Sequence, residues 1–322
     1  MMIGIDTSKD HLSAALVATA LSEKAVWERD VPNTPSGVAM LLRLTPADTA
    51  WVIEPTGRYS LQVAKEAKKA SQLVLLAPPR KAKKYLESIQ SRAKTDRLDS
   101  LGLALFGLTR PLQPYPIKSD VVDQLDQLLS ARKGLSQALS SLRQQQRELS
   151  YARDALSPSI EKIASEIEAL DQKIAQHVKG ADEFRAAEAI DEVPGIGPVT
   201  AAAVTSRLAA KQFDHPDKFV AYIGLDVGVV QSGKRKGERG LTKQGDAQIR
   251  RLLYLCAQAN LRTKDSPFRE QFERERAKGL SKTAALNAVA RKLAKLCWSL
   301  HQHGTRYDAG RVYNPPKKDE TP

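Results

Sequence analysis

The chain runs to 322 residues, enough for two domains with cores of their own. Its 50 Lys and Arg against 37 Asp and Glu leave a net charge of +13, which favours a polyanionic partner but is shared by many basic proteins that bind no nucleic acid. The two cysteines, Cys256 and Cys297, lie in apolar helical patterns with neither metal-ligand nor disulfide spacing. No signal-peptide core is visible and no apolar run nears the roughly 18 residues of a membrane span, so a soluble cytoplasmic protein is expected.

The first stretch, Ile3-Gly4-Ile5-Asp6-Thr7-Ser8-Lys9, is an apolar run that ends in an acid and small polar residues. That is the pattern of a core strand delivering one carboxylate to a sheet edge. Residues 11–19 and 25–31 follow at hairpin spacing, so the first three strands are predicted to form an antiparallel meander. Helix 36–44, strand 50–54, helix 59–70 and strand 73–77 then alternate as βαβ units do. This is the order of an RNase-H-like fold, which brings the ends of the first and fourth strands together and sets Asp6 beside Glu54. Asp96 and Asp99, three residues apart, share one face of a later helix crossing that edge.

Four gathered carboxylates repel, and some would stay protonated unless cations neutralised them. Magnesium takes oxygen ligands, and two such ions about 3.5–4 Å apart clamp the attacking and leaving oxygens of a phosphodiester. Each acid taken singly also reads as a surface carboxylate or helix cap. A kinase of the sugar-kinase and actin class also begins with a strand carrying Gly-Ile-Asp, but it needs a glycine-rich turn where this chain has Thr7-Ser8-Lys9-Asp10. Residues 80–97 carry seven Lys and Arg (Arg80, Lys81, Lys83, Lys84, Arg92, Lys94, Arg97) against two acids, either a track for a phosphate backbone or a solvated helix face. Tyr85 within it is placed to stack on a base or ribose.

Leu125, Leu128, Leu135, Leu139, Leu142 and Leu149 fall on a heptad seam, continued by Ile160, Ile163, Ile167, Leu170 and Ile174 after an expected break at Ser157-Pro158. Two long helices result, paired within one chain or with another subunit. Residues 193–201 read as the hairpin of a helix-hairpin-helix, in which Gly195 and Gly197 let backbone N–H groups approach a phosphate; a purely structural turn is the alternative. Residues 232–243 then form an expected basic loop with five Lys and Arg (Lys234, Arg235, Lys236, Arg239, Lys243), one acid and three glycines around Ser232. Asp246 is an expected N-cap, with Arg250 and Arg251 in the first turns of its helix. The loop's residue types alone do not separate a catalytic segment from a flexible phosphate holder, and the five histidines show no triad-like spacing.

Gly4-Ile5-Asp6-Thr7-Ser8-Lys9, Ile53-Glu54-Pro55-Thr56-Gly57-Arg58-Tyr59 and Lys94-Thr95-Asp96-Arg97-Leu98-Asp99-Ser100 together resemble the Asp-Glu-Asp-Asp signature of insertion-sequence transposases with a RuvC-like domain, the bridge-RNA-guided recombinases. Ser232-Gly233-Lys234, Lys243-Gln244-Gly245-Asp246 and Arg250-Arg251 are similar to the family's C-terminal serine transposase domain, although many members have an extra serine or glycine in the loop. The resemblance fades only after about residue 305. It implies that Asp6, Glu54, Asp96 and Asp99 hold Mg2+, two ions per site, and that Ser232 is the nucleophile, with Lys234, Arg235 and Arg250 offsetting transition-state charge. It implies further a structured guide (bridge) RNA, double-stranded element and target DNA, and a dimer assembling to a tetramer whose subunits share active sites.

The expected architecture is therefore α/β plus mostly α. It comprises an RNase-H-like metal-binding domain over 1–112, a helical coiled-coil oligomerisation segment over 113–184, a transposase domain over 185–310 and a disordered tail over 311–322. The rival functions are a RuvC-like magnesium-dependent nuclease or junction resolvase without a covalent intermediate, and a non-catalytic nucleic-acid-binding factor.

Overall fold

The computed structural model describes residues 1–22, 24–89, 95–232, 235–263 and 266–312, with the backbone alone at 89, 229–232, 235–239 and 311–312. The chain divides into two units, Met1–Ile117 and Lys118–Pro322. In the first, β1 (Met2–Thr7), β2 (His11–Val17) and β3 (Trp27–Pro32) form the meander. Helix α1 (Pro35–Leu44), β4 (Ala50–Ile53), α2 (Arg58–Lys69) and β5 (Val74–Leu76) follow, then α3 (Pro79–Ile89), α4 (Asp96–Thr109) and β6 (Gln113–Pro114). The six strands lie in the order β3-β2-β1-β4-β5-β6, with β4 parallel to β1 and β5 parallel to β4. Two-residue β6 is too short to leave a pattern in the sequence.

Strand alternation sorts the two faces of this sheet. Ile3, Ile5, Trp51 and Ile53 are fully buried with Val38 and Leu41 of α1 and Val63 and Ala64 of α2. Val52 faces the other way, against Leu103 and Phe106 of α4 and Ala82 of α3. Gly4 lies on that second face because the α4 backbone crosses it directly. A Cβ there would stand 2.0 Å from the Ser100 carbonyl oxygen and 2.4 Å from the Ala104 nitrogen.

In the second unit α5 (Asp120–Glu148) and α6 (Arg153–Lys179) are joined by the short turn Ser150–Ala152. They pair antiparallel within the chain, as Arg132 to Asp171, Gln146 to Ser157 and His177 to the Val121 carbonyl show. The break expected at Ser157-Pro158 falls instead at 149–152. Pro158 sits near the start of α6, where it forfeits a single helical hydrogen bond, and Ser157 bonds back to the Arg153 carbonyl. Leu125, Leu129 and Ile174 are buried, whereas Leu135, Leu139, Leu142, Ile163, Ile167 and Leu170 along the shaft are half-buried.

Helices α7 (Ala187–Asp191), α8 (Pro198–Ala210) and α9 (Pro216–Tyr222) precede strands β7 (Val227–Ser232) and β8 (Arg235–Leu241). Helices α10 (Ala247–Asn260), α11 (Pro267–Ala277) and α12 (Lys282–His303) complete the core around Phe184, Phe219, Leu253, Phe268 and Leu293. Most of the segment read as a basic loop is strand instead: Ser232 ends β7 and Arg235–Leu241 is β8, the two paired antiparallel with Ser232 opposite Arg235. Its glycines and cations suggested a loop, but the β-branched Val227, Val229 and Val230 suit a pleated strand and the pairing overrides the rest. Among the described residues no helix is long and apolar enough to cross a membrane.

Candidate active site

The pairing of Ile5 with Ile53 puts Asp6, the next residue of β1, beside Glu54, the first residue past β4. Asp6 shares the face of Gly4, the one that α4 covers. The hydroxyls of Thr7 and Thr56 meet at 2.5 Å and tie the two strand ends together. Thr95 caps α4 by accepting from the Leu98 amide, and Asp96 and Asp99 occupy the first turn, where the helix dipole favours negative charge. Asp6 and Glu54 thus end two neighbouring central strands, and α4 crosses β1 at Gly4 with Asp96 and Asp99 in its first turn.

They do not close on one centre: among the described residues no group of three or more His, Cys, Asp or Glu is gathered tightly enough to hold a metal ion. Asp96 Oδ2 lies instead 3.1 Å from His11 Nε2, and His11 Nδ1 lies 2.9 Å from Ser8 Oγ. By donor type the four carboxylates match a hard, oxygen-seeking divalent cation, although the described residues do not gather them around one point. The contact with His11 was not legible from the sequence, because 85 residues separate the partners.

The basic residues of α3 are mostly free to face solvent, with Arg80, Lys81 and Lys84 exposed and Lys83 within 3.9 Å of Glu87. Tyr85 packs its ring on Phe106 at 5.4 Å between centroids rather than standing open for a base. Arg97 reaches Asp30 at 3.3 Å. The Ser13 hydroxyl, against the opposing effect of burial, and then Arg97 hold Asp30 below the usual carboxylate range. Lys94 and Arg92 lie outside the described residues.

In the second unit, Gly195 adopts a left-handed φ of +79°, and a Cβ on it would stand 2.4 Å from Asn260 Nδ2. Buried Asn260 also donates to the Pro194 carbonyl at 2.7 Å, so packing alone accounts for this glycine. Gly197 is open, with nothing within 4 Å of such a Cβ, and stands at the start of α8. Ser232 ends β7; Gly233 and Lys234 lie outside the described residues, and Arg235, Lys236 and Arg239 are placed by their backbone in β8.

Below the hairpin the chain is tightly braced. Arg250 donates to the Ile223 carbonyl at 2.9 Å and Arg291 to the Leu225 carbonyl at 3.1 Å, while Lys243 and Arg251 remain exposed. Asp246 caps α10 as expected, accepting from the Gln248 and Ile249 amides. Its other oxygen accepts from Arg207 Nε at 2.7 Å, a partner the sequence did not announce. Burial works against both ions, but Asp126 and then Asp246 hold Arg207 above its ordinary pKa, and Arg207 with the two capping amides holds Asp246 below its own.

A mixed sheet with acids at the ends of its first and fourth strands, followed by a mostly helical unit, meets two transposase models. One, described as a transposase, matches residues 3–149, and the other, the transposase IS116/IS110/IS902 family, matches residues 187–273. These matches define a class of enzyme, a transposase that performs phosphoryl transfer on DNA. The pilin gene-inverting protein of Moraxella bovis is 25% identical over 95% of this chain and 97% of its own length. The transposase for insertion sequence element IS1328 of Yersinia enterocolitica is 28% identical over 44% of this chain and 43% of its own. The Thermus thermophilus RuvC structure matches 35% of this chain and 99% of its own at 16% identity, with a TM-score of 0.27. The chain belongs to the IS116/IS110/IS902 family of insertion-sequence transposases.

Proposed function

We propose that the protein joins element and target DNA by magnesium-dependent cleavage and strand exchange, through an ester between Ser232 and a DNA phosphate, under the guidance of a structured bridge RNA. The observation that supports the acidic half of this reading is the β1–β4 register, which sets Asp6 beside Glu54, and α4, whose first turn carries Asp96 and Asp99, crosses β1 at Gly4. Bound there, divalent ions would be held by these four carboxylates and would activate the nucleophile and offset phosphoryl charge. The serine half and the guide rest on the resemblance of the motifs around residues 232–251.

In the proposed step the Ser232 oxygen bonds to phosphorus as the strand's own P–O bond breaks, and the serine proton passes to the leaving oxygen. The ester conserves the phosphodiester energy until a hydroxyl of the new partner strand attacks. Gly197 and the N-terminus of α8, as a helix-hairpin-helix, and exposed Lys243 and Arg251 hold the DNA backbone, and the basic α3 tracks RNA. Residues 113–184 serve as the assembly segment and 185–310 as the transposase domain, with the half-buried apolar shaft of α5 and α6 supporting a dimer that assembles to a tetramer. The name of the Moraxella bovis relative supports a second outcome of the same chemistry, inversion of a DNA segment.

The test is strand cleavage by Asp6→Asn and Asp99→Asn with guide and DNA present. Both variants are expected to bind nucleic acid as the wild type does and to cleave nothing. Cleavage surviving in either variant, or in excess EDTA, would overturn the acidic site.

A further inference from the structure

The second unit contains a buried chain of alternating charge that the proposed chemistry does not use. Lys118 Nζ donates to Asp126 Oδ2, Ser206 Oγ donates to Asp126 Oδ1 at 2.6 Å, and Arg207 donates from Nη1 to Asp126 Oδ1 and from Nε to Asp246 Oδ2 at 2.7 Å. The side chains of Arg207, Asp126 and Asp246 are only 13%, 15% and 18% exposed. Packed apolar groups often stabilise a core as well as buried ion pairs do, so stability alone is a weak reason for such a network.

Its placement gives a better reason. Asp126 belongs to α5 and Arg207 to the last turn of α8, while Asp246 ends the turn by which the chain leaves β8. That turn is nested on the one leading into β7. The Asp246 amide donates to the Tyr222 carbonyl at 3.2 Å, Thr242 Oγ1 donates to Asp226, and a Cβ on Gly245 would stand 2.1 Å from the Tyr222 oxygen. One guanidinium thus spans from α5 to the turn where both ends of the hairpin meet.

We infer that Arg207 is a positioning residue, fixing the base of the β7–β8 hairpin to α5 and thereby setting where Ser232 stands. The catalytic consequence rests on the proposed serine chemistry; the mechanical one does not. A lysine at 207 keeps the charge but lacks the planar fork that reaches two carboxylates at once.

The experiment is hydrogen exchange on the full-length protein, wild type, Arg207→Met and Arg207→Lys, with strand cleavage and DNA affinity measured alongside. In Arg207→Met the amides of 227–246 are expected to exchange at least about tenfold faster while those of α12 keep their protection. Cleavage at saturating DNA should fall by roughly a hundredfold, with DNA affinity within about threefold of wild type, because a small misplacement of a reacting group is costly. Arg207→Lys should fall between, and it decides the matter by the same pattern if the methionine variant does not fold. Unchanged hairpin exchange in a folded variant, or equal loss of protection in α12, would overturn the inference. Normal recombination by Ser232→Ala alongside a loosened hairpin in Arg207→Met would refute the serine chemistry and leave the positioning role standing.

Discussion

Asp246 shows how much a single residue discloses in advance. Its place before an apolar helical run marked it as a cap, and both cap hydrogen bonds form. Its pairing with Arg207 could not be read, because the partners are 39 residues apart and Asp126 is 81 residues from Arg207. Since the folded Asp246 is held below its ordinary value, the stability it contributes is full above the usual Asp range, about pH 3.9, and is lost as pH falls through the lower folded value. Denaturant titrations at stepped acid pH should therefore show a shallower acid loss in Asp246→Asn than in wild type; parallel slopes would contradict the assignment. The thiols were legible as core residues and are buried. Burial pushes Cys256 up to about 11 and Cys297 higher still, so the thiolate that alkylating reagents need is scarce. Iodoacetamide at neutral pH should label neither cysteine in the folded protein and both after denaturation, with the labelled masses as readout.

Among the elements, those with a strong period were readable and those decided by pairing were not. The meander and the βαβ alternation of the first unit followed from apolar runs and breaks, and β1 and β4 stand side by side as that order requires. The β7–β8 hairpin did not follow, because composition reports glycine and charge while strand pairing depends on register. The packing of α4 on β1 gives the sharpest element-level test. Gly4→Ala would force a Cβ against the Ser100 and Ala104 backbone, which only a shift of the helix relieves. A cost of about 1–3 kcal/mol in chemical denaturation is expected from such overpacking, with loss of cleavage because Asp96 and Asp99 ride on α4. In the second unit, Asn260→Ala would leave the Pro194 carbonyl and the Ser266 hydroxyl without their partner. A loss of about 2–3 kcal/mol is expected there, and an effect near zero would show that the turn at Gly195 is held by other means.

At the scale of the whole molecule, the four candidate acids and Ser232 belong to different units, and each set is proposed from its own motif. The strand-end acids were visible because a fold order and a residue type coincided; the brace behind the hairpin was not, because tertiary contacts alone create it. Assembly is testable through the half-buried shaft: charged substitution at Leu139 and Ile167 should yield folded, inactive monomers by light scattering, and full activity from a monomer would contradict a shared site. The guide is testable by salt, since RNA retained by a net charge of +13 should be released steeply as ionic strength rises. The most direct measurement concerns the ester. Wild-type protein incubated with guide and DNA, quenched in denaturant and digested should yield a peptide with DNA phosphate on Ser232, and Ser232→Ala should bind both nucleic acids yet give neither adduct nor recombinant. Normal recombination by Ser232→Ala, or an adduct mapped to Tyr222 or Tyr254, would contradict strand exchange through the serine.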